Sequence, residues 1–148
     1  MEGVLNGPHY GLYRLDLLMA LLKRAAVLSR CVSSDVTLLV GTSEPDDPPS
    51  LAQFAREAAG VLGLEDLEWV GNPKWVLGDG KDFRAWLRFH PHDREPHLSH
   101  PFWVTEKGSE PEVGRRLFQE LADTGRFRVV LSLDEVCERS THLPCEDC

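Results

Sequence analysis

The sequence predicts an α+β fold, a single domain in which three helices pack on a mixed, mostly antiparallel sheet of about five or six strands. Three observations carry that prediction. Apolar residues between His9 and Cys31 recur at three- and four-residue spacings, the period of a helix with one buried stripe. The stretch Asp82 to Glu106 alternates instead: Phe83, Ala85, Leu87 and Phe89 point one way, and Arg84, Trp86, Arg88 and His90 the other. Between them, Val36 to Gly41 is an almost unbroken apolar run, as in a central strand buried on both faces.

The first helix carries Leu12, Leu15, Leu18, Met19, Leu22, Ala25 and Ala26 on its apolar side, and Lys23, Arg24 and Arg30 near its negative C-terminal end. Ser33-Ser34-Asp35 breaks it and the central strand follows. After a loop rich in proline and acids, Ser50 and Gln53 match a capping box, opening a helix from Leu51 to Leu62 with Gly63 as its C-terminal cap. Leu67–Val70 and Trp75–Leu77 read as short strands joined by the turn Gly71-Asn72-Pro73. The strand–helix–strand order of this first half suggests a crossover unit with parallel strands.

The alternating strand then leads into a long hairpin at the centre of the sheet. Pro91 ends the first arm. The return arm starts near Leu98 and carries Phe102, Trp103 and Val104. Ser109 and Glu112 form a second capping-box match, with Pro111 tolerated in the first turn of a helix that runs to Asp123. Arg126 to Leu133 alternates again, with Phe127, Val129, Leu131 and Leu133 facing in. Residues 1–133 thus form the predicted core, and 134–148 a tail without a clear period.

Composition narrows the function. A formal net charge of −8 argues against nucleic acid and anionic membranes, both of which need cationic contacts. It suits a basic protein partner, drawn in by long-range attraction. No apolar run reaches the length of a membrane span, and the N-terminus lacks the pattern of a secretory signal, so the expected location is the cytoplasm. Gly41-Thr42-Ser43-Glu44 has one glycine and an acid where a phosphate cradle would need several glycines. No G-x-S-x-G elbow occurs, and Cys31, at the end of an apolar helix, reads as a buried small residue.

Two clusters carry chemistry. Cys137, His142, Cys145 and Cys148 form C-x4-H-x2-C-x2-C, a donor set suited to a structural, tetrahedral zinc. A redox-active C-x2-C pair or a solvated tail are the rival readings, and no helix follows Cys145 to lower its thiol pKa. The second cluster is the hairpin with its loop: Arg84, Trp86, Arg88, His90, His92, His97 and His100. Histidines with carboxylates can bind a metal that activates water, but two prolines interrupt this loop and no H-E-x-x-H is present. The plain alternatives are a solvated loop and a partner-binding loop. Trp and Arg are enriched at interface hot spots, so Trp86 among arginines marks a binding surface unless a helix of the fold covers it, which is the expectation here. If the strands bearing Arg84/Arg88 and Arg126/Arg128 are neighbours, they form a basic island.

The expectation is therefore a small acidic interaction protein that binds, and inhibits, a basic partner, of the type of bacterial immunity or antitoxin proteins. A zinc-stabilised binding domain and a metal-dependent hydrolase using the histidine loop are the alternatives.

Overall fold

The computed structural model describes residues 35–71, 74–106 and 110–145. The helix predicted from His9 to Cys31 lies outside them, as do Cys31, Ser109 and Cys148. Within them the sheet has seven strands: β1 (Val36–Thr42), β2 (Glu65–Val70), β3 (Trp75–Asp79), β4 (Arg84–Phe89), β5 (Phe102–Glu106), β6 (Phe127–Leu133) and β7 (Val136–Ser140). Their order is β2-β3-β4-β5-β1-β6-β7, and every neighbouring pair is antiparallel. Helices α1 (Leu51–Leu62) and α2 (Pro111–Asp123) pack on one face. No helix among the described residues is long and apolar enough to cross a membrane.

Two predicted features are corrected. The sheet has seven strands rather than five or six. The additional one, β7, lies in the tail, where Val136-Cys137-Glu138-Arg139-Ser140 offers no alternation to read. It forms because Asp134 (φ 49°) and Glu135 (φ 65°) both take the left-handed conformation that the favoured two-residue hairpin turns require. Asp134 is held there by its neighbour strand: the Asp35 amide donates to Asp134 Oδ1 at 3.0 Å, and the Asp134 amide to the Asp35 carbonyl at 3.1 Å. The second correction concerns the first half. β1 and β2 run in the same direction, but β5, β4 and β3 lie between them, so they form no parallel pair.

β1 takes the buried position that its apolar run predicts, between β5 and β6. Val36, Leu38 and Val40 face the helices, and Leu39, on the other side, is 6% exposed. Phe54 of α1 stacks on Phe102 of β5 with ring centroids 4.1 Å apart and meets Phe127 of β6 edge-on. Burying such a ring contributes about 1.5–3 kcal/mol. α2 comes close to β1 through Gly114, where an added Cβ would lie 2.6 Å from Val36 Cγ1.

The two helices begin differently. Ser50 Oγ accepts from the Gln53 amide at 3.2 Å, and Gly63 closes α1 with φ 67°. The Gln53 side chain reaches forward to Glu57 rather than back to the cap. At α2 the cap residue is Glu110, with no side-chain bond. Glu112 pairs with Arg115, and Ser109 of the predicted Ser109/Glu112 box lies outside the described residues.

Candidate functional site

The face of the sheet opposite α1 and α2 collects most of the chemistry predicted for the hairpin. Antiparallel register sets one row across it: Arg88 of β4 is opposite Trp103 of β5, Trp103 opposite Leu39 of β1, and Leu39 opposite Val130 of β6. The Arg88 guanidinium lies over the Trp75 ring at 4.9 Å and over the Trp103 ring at 5.6 Å, a cation between two aromatic faces. Trp86 meets Trp75 edge-on at 5.9 Å. The two described helices pack on the other face, so the predicted covering of Trp86 by a helix is not their doing, and Trp86 is half-buried.

The histidine loop rises beside this row. Arg88 Nη2 donates to His90 Nδ1 at 2.8 Å, which leaves the proton of neutral His90 on Nε2. His90 meets Trp103 edge-on at 5.0 Å, and His97 stacks on Trp103 at 5.3 Å. Burial is the first cause that lowers the pKa of both rings. The charges of Arg88 and His92 add to it at His90, and those of His90 and His92 at His97. His92 is exposed and pairs with Asp93 at 3.0 Å.

The loop holds its shape through a network that runs from exposed Glu95 to buried Ser99 and His100. Ser99 Oγ donates to Glu95 Oε2 at 2.5 Å and lies 2.8 Å from His100 Nδ1, which is also 3.2 Å from the Pro96 carbonyl. His100 is 0% exposed, so its work is inside the loop, not on a surface. A serine between a carboxylate and an imidazole resembles a nucleophile arrangement. Here, though, the carboxylate bonds to the serine rather than orienting the histidine, which is the reverse of what activation requires. The loop seats on β1 at Gly41, where an added Cβ would lie 1.9 Å from the Ser99 carbonyl oxygen.

The remaining predicted residues separate. Arg84 is exposed and paired with Asp79 at 2.8 Å. The basic island does not form, because β5 and β1 lie between the strands that carry Arg84/Arg88 and Arg128. Trp75 and Trp103 are readable in the sequence as aromatic positions beside the hairpin, but their place against Arg88, and that of Leu39 in the row, are not. Trp103 is out of phase with Phe102 and Val104, which does place it on this face, but only strand register puts it beside Arg88.

As metal ligands the histidines are poorly disposed. The rings of His90, His92 and His97 are 6.0–6.5 Å apart. Three imidazoles on one zinc, with Zn–N near 2.0 Å, sit roughly 5 Å apart. Arg88 also occupies His90 Nδ1 and adds a repelling charge. Among the described residues no group of three or more His, Cys, Asp or Glu is arranged to hold a metal ion.

In the tail, Cys137 and Cys145 come together as a disulfide, with Cα atoms 5.3 Å apart. His142 is exposed, its Nδ1 2.6 Å from Thr141 Oγ1. The segment is further tied down by β7 and by Thr141, whose amide donates to the Val129 carbonyl and whose hydroxyl accepts from the Val129 amide.

Two cavities bear on function. One, at the start of α1, is lined by Glu44, Asp47 and Glu57, carboxylates that repel a phosphate. The other, of about 300 Å³, opens on the far face between the histidine loop and the β6–β7 turn, over Thr37 and Leu39. No protein family, curated protein or solved structure matches the chain.

Proposed function

We propose that the chain is a non-catalytic binding protein that docks a basic protein partner on the sheet face opposite α1 and α2. The observation that carries the reading is the Trp75–Arg88–Trp103 stack with Trp86 beside it. Rigid aromatics and arginine are the residues that dominate interface energetics. No carboxylate among the described residues pairs with Arg88, so its free donors are available to a partner's carbonyls. Acids rim the patch, with Glu68, Asp93, Asp35 and Glu135 all exposed, and the chain as a whole carries −8. Aromatic centre and acidic rim together suit a basic surface, with the rim serving encounter rate more than affinity.

Affinity capture from the native host at low and high salt tests this. A basic protein should be enriched, with capture weakened as salt screens the rim. Turnover of a small substrate by the purified chain would overturn the reading.

A structural zinc held by Cys137, His142, Cys145 and Cys148 is the second reading. It is favoured by one observation, the closeness of Cys137 and Cys145. A disulfide and a metal compete for the same sulfurs, since zinc takes thiolates. Elemental analysis of protein purified under reducing conditions decides: about one zinc per chain supports it, and metal-free, folded protein removes it.

A further inference from the structure

We infer that the cavity on the far face is a specificity pocket for one arginine side chain presented by the partner. The inference rests on the binding function proposed above and adds the chemistry of the group recognised. The pocket has a volume of about 300 Å³, at the small end of ligand cavities and ample for one side chain. Its floor is apolar: Leu39 is 6% and Val130 1% exposed. Thr37 and Ser132, paired across β1 and β6, place two hydroxyls beside that floor. Pro96, His97 and Trp103 form one wall. Cys137, Asp35 and Glu135 lie on the other.

The two carboxylates give the pocket its sign. Neither Asp35 nor Glu135 forms an ion pair among the described residues. Glu135 is held at the mouth by the left-handed turn, and Asp35 by the reciprocal backbone bonds to Asp134. The fold thus fixes two uncompensated acids above an apolar floor. An arginine matches this: its methylene stem lies along the wall of Pro96 and Trp103, Leu39 and Val130 being already buried beneath, and its head carries five donors for two carboxylates and two hydroxyls. A lysine ammonium is a compact point charge with three donors and keeps its water more tightly. The Arg88 cation is no competitor for this space, because it stacks on the Trp103 ring and does not line the pocket.

The test uses the full chain and short blocked peptides, Gly-Arg-Gly, its lysine counterpart and the neutral citrulline counterpart, followed by the indole N–H resonance of Trp103 in amide-correlation NMR spectra. The arginine peptide should shift that resonance together with the amides of Thr37 and Ser132. Citrulline should bind at least about tenfold more weakly, and Asp35→Asn/Glu135→Gln should cost a similar factor, the scale expected for two exposed charge contacts. Both substitutions keep size and lie at exposed positions, and an unchanged thermal midpoint verifies the fold. Equal response to arginine and citrulline, equal response to arginine and lysine, or indifference to the double substitution each overturns the assignment. A dimer of the chain that the double substitution dissolves assigns the pocket to a second copy and likewise overturns it. If a basic partner is captured equally by wild type and double variant while the peptides give no shift, the pocket assignment fails and the binding function stands. If the peptides bind as expected and no partner is captured, the binding function fails instead.

Discussion

Arg88 links the packing of the far sheet face to the docking proposed for it. Its stem crosses the sheet face, its head lies between Trp75 and Trp103, and one of its donors fixes the tautomer of His90. Removing the charge while keeping bulk, as in Arg88→Met, should lower stability by about 1–2 kcal/mol, the sum of two partly desolvated cation–π contacts. Urea unfolding measures it, and an unchanged midpoint would mean the stack is incidental. The histidines make a second residue-scale prediction. His90, His97 and His100 all titrate below the ordinary 6.5, with burial the first cause in each. Unfolding restores the ordinary value, so the unfolded chain takes up protons that the folded one does not. Stability is therefore fully present above about pH 6.5 and is lost as pH falls from there through the lowered folded values. A chain whose stability is flat between pH 7 and 5.5, after allowance for its carboxylates, would contradict this. His97→Gln should make the fall shallower.

At the scale of elements, the central strand and the hairpin arm were legible because each has a strong period. β1 is apolar on both sides, and β4 alternates cleanly enough that Ala85 and Leu87 fall in the core while Trp86 and Arg88 do not. β7 was illegible because its signal is not periodic: it follows from a turn of two left-handed non-glycine residues held by Asp35, a long-range contact. The histidine loop was legible as a polar loop but not as a folded one. Its Glu95–Ser99–His100 network and its seat on Gly41 arise only when β1 lies beneath it. Gly41→Ala tests that seat. The contact at 1.9 Å is with backbone, so either loop or strand must shift. Overpacking of this kind costs about 1–3 kcal/mol. Hydrogen exchange should rise at Leu98 and His100, whose amides bond within the loop. Exchange that rises uniformly instead would show that the loop does not depend on this contact.

At the scale of the molecule, the two described helices and the candidate surface occupy opposite faces of one antiparallel sheet. One face gives the core its apolar depth and leaves the other free to carry tryptophan, arginine and histidine. Composition pointed to an acidic binding protein. It was silent on which face would serve the proposed docking, because that depends on the strand order that brings β5 and β1 between the arginines of β4 and β6. This far face is the proposed docking surface. The measurement that tests it most directly is partner capture by wild type, by Trp86→Ala and Arg88→Gln on this face, and by Gln119→Ala on the exposed side of α2, with thermal midpoints taken in parallel. The far-face substitutions should each reduce capture by about tenfold or more, the scale of a hot-spot loss, while remaining folded, and Gln119→Ala should capture as wild type does. Folded Trp86→Ala and Arg88→Gln proteins that capture the partner undiminished would contradict the account.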